Sequence, residues 1–477
     1  MAWLASQSWC NGNVGMIGIS WGGFNGLQTA ARQAPALKAV ITLCATVDRY
    51  SDDMHYMGGS LLTDDMDWGG SFYSVAGLPL DPAMVGAGWK EQWLSRLDVL
   101  EPFPAKWLQH QRRDDFWEHG SVCEVYSKLN CPILAVSGWA DGYTGVVFRL
   151  VEALNRPDVK GIVGPWGHLY PHRGVPGPAI GFLQECVRWW DRWLKNKQNK
   201  VEDEPALRLW LQEYAPPKGH YDMRPGRWIA LDGWPTNKTD RTLWRLNSVG
   251  LTRSADAETV IAIKSPQTTG LAQGEWTAYA LCKVAPELPL DQRRDDAGSL
   301  TFDTPVFEEP ATLIGSPLLE LDLSVDQPFA LVSVRLSDVA PDGAVRRVTY
   351  GLLNLTHRES HSSPAKLEPG RRYEVKLRLN EAAHVFGPGH KVRVSISTVS
   401  FPMTWPSPKE ATLSVYTGKS TIELPFAMDR SFSEAAPFEV AEYARPRPVT
   451  VIRPEADTIE ILPGFAGGSK GRASSAP

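Results

Sequence analysis

The sequence VGMIGISWGGFNG at residues 14–26 decides the fold of this chain. Its apolar start leads into Gly18-Ile19-Ser20-Trp21-Gly22, and a Gly- and Ala-rich segment without proline follows. This order predicts a strand, a very tight turn and a helix, with Ser20 at the apex. It matches the nucleophile-elbow pattern G-x-S-x-G, where strand and helix pass so closely that Gly18 and Gly22 are expected to exclude side chains. The alternative is an ordinary Gly-rich turn, because short patterns recur by chance.

Composition narrows the class of protein. The chain has 477 residues, a net charge of -5 and 43% hydrophobic residues, which predicts a soluble protein of two or three domains. Neither the charge nor any apolar run suggests a nucleic-acid or membrane partner, and the N-terminus lacks the features of a secretion signal. Six cysteines without a C-x-x-C pair predict reduced thiols in a cytoplasmic protein rather than disulfides or a zinc site: Cys10, Cys44, Cys123, Cys131, Cys186 and Cys282.

Strand and helix patterns alternate through the first 200 residues. β-Branched apolar runs follow the elbow at residues 37–45, 132–138 and 159–164. Helical patterns cover residues 22–32, 143–154 and 179–195. Short connections between such segments predict an α/β fold with a parallel sheet and right-handed crossovers.

An insertion interrupts this alternation. Residues 48–125 are rich in Trp, Met, Asp and Gly, with helical patterns at 89–100 and 104–117. Since this region lies between two strands, we expect a helical cap over the site. The α/β core is therefore predicted in two parts, residues 1–47 and 126–198.

The second half of the chain has a different periodicity. After the polar stretch NKQNKVEDE at residues 196–204, apolar and polar residues alternate, and Pro-Gly turns separate the runs. This predicts an all-β sandwich over residues 205–460. The final segment, residues 464–477, is predicted to be disordered.

A serine nucleophile needs a base and an orienting carboxylate. Asp141 follows the strand at 132–138 and His168 follows the strand at 159–164, in the order Ser, Asp, His. All three are expected at the carboxyl edge of the sheet. The alternatives are a turn-forming Asp141, a loop role for His168, and His172 as a competing base. The other histidines are expected to lie in the cap, where they could contact substrate (His55, His110, His119), or to be surface or packing residues of the β-domain (His220, His357, His361, His384, His390).

The segments GMIGISWGGFNG, SGWADGYTG, GPWGH and SISTVSFP, together with the insertion and the β-rich tail, resemble the cocaine esterase and X-Pro dipeptidyl-peptidase family of serine hydrolases. The family also includes acylases and α-amino acid ester hydrolases. The resemblance implies Ser20 as nucleophile, His168 as general base and acid, and Asp141 as its orienting carboxylate. It implies a jelly-roll, galactose-binding-like C-terminal domain.

The expected oxyanion hole of this chain differs from the pattern of the family that it resembles. Its first donor is expected to be the backbone N–H of Trp21. The family's second donor is a tyrosine from a loop that would precede Met1, as would the early strands, so the elbow strand is expected to expose an apolar edge. We therefore expect a fragment, a mis-called start or a partner-dependent piece. Loss of one donor costs about 3–4 kcal/mol, which predicts weak activity of the chain alone.

The substrate is expected to be a small ester or amide, or a short peptide, with no cofactor and no metal. Trp21 and the Trp-rich cap favour an apolar pocket, and a homodimer stays open. Acidic cap residues could bind a substrate ammonium, although solvated caps and surface charge are the commoner role: Asp52, Asp53, Asp64, Asp65 and Asp67. Two alternatives remain, X-Pro peptides as substrate, and a non-catalytic β-sandwich binding module on a degenerate hydrolase scaffold.

Overall fold

The computed structural model describes residues 1–254, 257–280, 287–428 and 432–444. The predicted disordered tail at residues 464–477 lies outside these described residues. Within them, no helix combines the length and the apolar character that a bilayer crossing requires.

The first half of the chain alternates strands and helices. Short 3-10 helices cover Val122–Lys128, Pro171–Arg173 and Val201–Asp203. The strands and α-helices, in chain order, are α1 (Ala2–Ala5), β1 (Val14–Ile19), α2 (Trp21–Ala31), β2 (Leu37–Leu43), β3 (Tyr56–Met57), β4 (Ser60–Leu61), α3 (Asp64–Ala76), α4 (Pro82–Val85), α5 (Trp89–Asp98), α6 (Phe103–Trp107), α7 (Asp115–Gly120), β5 (Ile133–Gly138), α8 (Gly145–Leu154), β6 (Val159–Gly164), α9 (Phe182–Trp193), β7 (Leu207–Glu213) and β8 (Gly226–Leu231).

Strands β1, β2, β5, β6 and β7 lie side by side and run parallel. Every residue of β5 and β6 is buried, as apolar strands covered on both faces must be. Helices α2 and α8 pack on one face, and α9 packs on the other. This confirms the predicted α/β class.

Strand β1 forms the edge of this sheet in the part of the chain that the structure describes. It pairs with β2 along its whole length, from Val14 opposite Leu37 to Ile19 opposite Leu43. Its Ile17 side chain is 48% exposed. The apolar edge expected from the sequence is therefore present at this strand.

Helices α3 to α7 and the β3–β4 hairpin lie between β2 and β5. Backbone hydrogen bonds hold this segment, which we call the cap, against the C-terminal domain. The Thr63 N–H donates to Met403 O at 3.0 Å, and the Asn354 N–H donates to Gly58 O at 2.8 Å. The cap thus contacts both halves of the chain.

The single helix predicted at residues 104–117 is wrong. The structure has two short helices, α6 and α7, with an irregular connection between them. The Asp114 carboxylate accepts from the Phe116 N–H at 3.2 Å and so starts α7. The Arg113 N–H donates to His361 O in the C-terminal domain, so a tertiary contact fixes the break.

The C-terminal half is almost entirely β-structure. A 3-10 helix covers Leu355–His357. The remaining elements are β9 (Thr239–Asn247), β10 (Gly250–Thr252), β11 (Val260–Ile263), α10 (Arg293–Asp296), β12 (Leu300–Asp303), β13 (Ala311–Gly315), β14 (Leu318–Val325), β15 (Leu331–Val339), β16 (Val345–Asn354), β17 (Arg372–Arg378), β18 (Ala382–Phe386), β19 (Lys391–Ser397), β20 (Leu413–Tyr416) and β21 (Thr421–Ala427).

Two sheets form this all-β domain. One has the order β12-β19-β15-β16, and the other includes β18-β13-β21-β14-β20-β11. Their alternating apolar residues share one core, as in a sandwich. The second sheet joins the α/β sheet because β18 pairs in parallel with β7 at His384 and Val385. The composition shift near residue 205 therefore lies before two strands, β7 and β8, that extend the α/β sheet.

Candidate active site

Ser20 lies at the tight turn between β1 and α2. Its φ of 60° and ψ of -131° are a conformation that side-chain-bearing residues rarely adopt. The Ser20 N–H donates to Leu43 O at 2.9 Å, which ties the turn to the end of β2. Such strain matches a nucleophile elbow and does not match an ordinary Gly-rich turn.

The two glycines of the motif differ in their surroundings. A Cβ on Gly18 would lie 2.4 Å from the Gly22 carbonyl carbon, so this position excludes a side chain. A Cβ on Gly22 would meet nothing within 4 Å, so the expectation for Gly22 is wrong. Gly23 is the second close approach, since its Cβ would lie 2.9 Å from Leu43 O and from Thr42 Oγ1. The helix approaches the sheet one residue later than the motif suggests.

Asp141 and His168 are brought together at the same edge. Asp141 follows β5 and His168 follows β6, which pairs with it. The His168 ring Nδ1 lies 3.1 Å from the Asp141 Oδ1, and both side chains are buried. A buried carboxylate at this distance holds the ring in one orientation.

The Asp141 carboxylate has further donors. The Ser137 hydroxyl donates to Asp141 Oδ2 at 2.9 Å, and the Cys44 thiol also donates to this carboxylate. Burial alone would raise the pKa of Asp141, but the charge of His168 and these hydrogen bonds outweigh it, so the pKa lies below its ordinary value. Asp141 is therefore held as the anion beside the imidazole.

Cys44 is the residue of this site that sequence reasoning did not assign. Cys44 directly follows β2, and this position at the carboxyl edge of the sheet is the feature of the sequence that could have placed it in the site. Burial, and then the charge of Asp141, raises the pKa of its thiol well above the usual range. Among the described residues, side-chain atoms of Cys44, Asp141 and His168 form one group within 4.8 Å that could ligate a metal. Hydrogen bonding to Asp141 already accounts for this proximity.

A backbone hydrogen bond places Ser20 beside this group of three residues. Its N–H bonds to Leu43, whose next neighbour is Cys44. Among the described residues, no hydrogen bond joins the Ser20 hydroxyl to the His168 ring. Catalytic hydrogen bonds are often long before substrate binds, so the contact of nucleophile and base stays a prediction.

Trp21 lies where the predicted oxyanion donor is needed, and that role stays a prediction. Helix α2 begins at Trp21, so its N–H belongs to the first turn, where no carbonyl within the helix can accept it. The positive end of the helix dipole adds to this donor. Together they favour negative charge beside the Ser20 side chain.

A chain of aromatic rings extends from Trp21 into the cap. The Trp21 indole is 51% exposed and lies 4.7 Å from the Phe72 ring and 5.8 Å from Trp68, centre to centre. Phe72 in turn lies 5.1 Å from Phe103, which stacks on Trp107 at 6.2 Å. We call these five residues the aromatic ladder. It offers apolar surface next to the proposed nucleophile.

The buried acidic residues of the cap are not solvated surface charges. Asp52 pairs with Arg149, and Asp53 pairs with Arg49 and accepts from the Tyr143 hydroxyl at 2.8 Å. Asp65 lies 2.5 Å from the His55 ring. These three carboxylates already have partners. Asp64 also has a partner, and Asp67 is exposed.

The competing base His172 has a different environment. Its Nδ1 is buried without a hydrogen-bond partner, and its ring stacks against Phe182 at 6.3 Å. Burial lowers its pKa. The structure pairs His168, not His172, with Asp141.

Two family models match the chain. That of the X-Pro dipeptidyl-peptidase (S15 family) matches residues 1–170. That of the X-Pro dipeptidyl-peptidase C-terminal non-catalytic domain matches residues 199–436. The first match includes the elbow and both proposed triad partners, and the second includes the sandwich.

Individual proteins agree with these matches. Cocaine esterase from Rhodococcus is 25% identical over 449 residues, which cover 84% of this chain and 75% of that protein. A solved CocE/NonD family hydrolase from Staphylococcus aureus has a TM-score of 0.69 at 18% identity, over 89% of this chain and 74% of that one. A solved α-amino acid ester hydrolase has a TM-score of 0.64 at 21% identity, over 89% of this chain and 78% of that one. Both solved structures support the fold.

Proposed function

Since this chain belongs to the cocaine esterase and X-Pro dipeptidyl-peptidase family of serine hydrolases, we propose that Ser20, His168 and Asp141 cleave ester or amide bonds through an acyl-enzyme. The single observation that carries this proposal is the buried Asp141–His168 pair at the sheet edge that also holds the strained Ser20.

The proposed reaction has two halves. The Ser20 hydroxyl oxygen attacks the substrate carbonyl carbon while His168 takes the hydroxyl proton. The Trp21 N–H stabilises the resulting oxyanion, and collapse expels the alcohol or amine, which receives that proton from His168. Water then attacks the acyl-enzyme by the same route and releases the acid and Ser20.

The aromatic ladder favours esters with an apolar or aromatic group. An exposed indole directly after the nucleophile can pack against such a group. X-Pro peptides need recognition of a substrate ammonium, and the buried cap carboxylates Asp52, Asp53 and Asp65 are already paired with Arg149, Arg49 and His55. We therefore place esters first and X-Pro peptides, which the family model suggests, second.

The test compares p-nitrophenyl benzoate with Gly-Pro-p-nitroanilide on the purified chain and on Ser20→Ala. Ester hydrolysis that Ser20→Ala abolishes supports the proposal, and preference for the anilide would move the substrate to X-Pro peptides. Hydrolysis of neither compound, with no covalent labelling of Ser20, would favour the non-catalytic binding module. The rate also tests the expectation of weak activity, which stays a prediction.

A further inference from the structure

Three arginines surround a cavity of about 90 Å³ behind the proposed triad aspartate. Arg224 comes from the connection between β7 and β8, and Arg346 and Arg347 come from β16 of the sandwich. The lining also includes Asp141 and Gly142 of the α/β domain. The cavity therefore lies where the two domains meet.

These guanidinium groups lack a carboxylate at ion-pair distance, although Asp338 acts on Arg346 and Asp295 acts on Arg347 from further away. Among the described residues, no ion pair joins Arg224, Arg346 or Arg347 to a carboxylate. Arg224 and Arg346 instead lie against the same ring, with their Cζ atoms 4.9 and 5.2 Å from the Tyr221 centroid. Two like charges on one tyrosine repel each other, and burial strengthens that repulsion.

Donor atoms of these residues are also without partners. Arg224 is only 3% exposed, yet its Nε and Nη1 make no hydrogen bond, and neither does the buried Nη1 of Arg347. The Nη2 of Arg224 donates to Glu213 O at 3.3 Å, and the guanidinium also interacts with the Tyr221 side chain. Unsatisfied buried donors are unfavourable, and charged ones are more so. A native site of this kind calls for a bound acceptor.

Four carboxylates also line the cavity, Asp141, Glu275, Glu287 and Glu381, and in the part of the chain that the structure describes none forms an ion pair with the three arginines. Asp338 lies 2.8 Å from His384 and 2.7 Å from His390. Glu287 accepts the N–H groups of Tyr279 and Ala280, both at 2.8 Å. Burial and the charge of Arg346 lower the pKa of Arg224 to about 9, so the surroundings of Arg224 itself disfavour its charge. Burial lowers the pKa of Arg347 to about 10.

We propose that this cavity binds a tetrahedral oxyanion of the phosphate or sulfate class, held by Arg224 from the α/β domain and by Arg346 and Arg347 from the sandwich. Guanidinium N–H groups match the oxygens of such an anion, and Arg224 keeps its buried Nε and Nη1 donors free. The volume accommodates a small oxyanion or several waters. Binding would offset much of the positive charge of the three arginines and give the two domains a shared contact.

The test measures thermal unfolding of the purified chain in phosphate and in chloride at equal ionic strength and pH. Saturating inorganic phosphate is expected to raise the Tm by roughly 3 °C over chloride, with sulfate giving a similar shift. Arg224→Gln should lose this increment, and Arg224→Lys should keep only part of it. The control Arg294→Gln, at an exposed site, should keep all of it.

The comparison uses the phosphate-dependent increment, since removal of an unpaired buried charge can itself raise the Tm. If Arg224→Gln does not fold, Arg347→Gln provides the same comparison. Calorimetric titration of phosphate should give one site per chain in wild type and none in the variant. Equal increments in wild type and both cavity variants, or no difference between phosphate and chloride, would overturn the proposal. Hydrolytic activity enters none of these readouts.

Discussion

Asp141 is the residue on which the proposed base depends. Three donors hold its carboxylate as an anion, and His168 is one of them. Asp141→Asn keeps the size of the side chain but favours the wrong tautomer of the ring. We expect kcat/KM for esters to fall on the order of 10³–10⁴-fold, with the Tm nearly unchanged. Ser137→Ala, which removes a different donor to Asp141, should cost far less. A loss below tenfold in Asp141→Asn would contradict the assigned role.

Trp68 tests the aromatic ladder. Its indole lies 5.8 Å from Trp21 and 5.0 Å from Phe72. Trp68→Ala should raise KM for p-nitrophenyl benzoate by about tenfold, the effect of losing roughly 1.4 kcal/mol of apolar contact, while KM for the acetate changes little. Trp89→Ala is a matched control, because Trp89 stacks on Trp93 outside the ladder. Equal effects on the two esters would argue against a substrate contact.

At the scale of elements, the elbow between β1 and α2 can be tested by substituting two of its glycines, Gly18 and Gly22. Gly18→Ala forces a Cβ to 2.4 Å from backbone, whereas Gly22→Ala meets open space at a helical position. Gly18→Ala should therefore destabilise the chain by at least about 3 kcal/mol or prevent folding. Gly22→Ala should be neutral or stabilise by about 0.5–1 kcal/mol. Urea unfolding measures both, and equal losses would show that the turn differs from the one described.

Much of this architecture could be predicted from local patterns. The strand at residues 159–164 has the predicted bounds, because apolar runs between turn residues are strong local signals. The break between α6 and α7 could not be predicted from the sequence, because it depends in part on the hydrogen bond from Arg113 to His361, which is far away in the chain. The pairing of β7 with β18 is equally non-local. The positions of Asp141 and His168 could be predicted because each follows the end of a strand. Cys44 belongs to no sequence motif, so its place in the site could not be predicted in the same way.

At the scale of the whole molecule, buried histidines connect the cap to the sandwich. His357 is 6% exposed, and its Nδ1 lies 3.2 Å from that of His361. A Cβ on Gly59 of the cap would lie 2.4 Å from the His357 ring, so the packing is close. Burial, and then His361, lowers the pKa of His357 to about 4. Protonation of this ring therefore opposes the contact between the two units.

The sign of the resulting pH dependence follows from linkage. An unfolded histidine titrates near 6.5, so between about pH 6.5 and 4 the unfolded chain binds the extra proton. The contribution of neutral His357 to the stability of the folded chain is therefore complete above about pH 6.5. It declines as the pH falls and is lost near pH 4. When the pH is lowered from 7 to 4.5, the Tm of His357→Gln should therefore fall by a few degrees less than the Tm of wild type. His119→Gln, an exposed cap histidine, should behave as wild type. Identical losses in all three proteins would exclude this contribution.

The most direct measurement of the central claim is covalent labelling by a fluorophosphonate, followed by mass spectrometry of the modified peptide. Wild type should carry the phosphonyl group on Ser20. Labelling should disappear in Ser20→Ala and fall at least 100-fold in rate in His168→Ala, because the hydroxyl then lacks its base. Labelling of another residue, or unchanged labelling of Ser20 without His168, would contradict a triad of Ser20, His168 and Asp141.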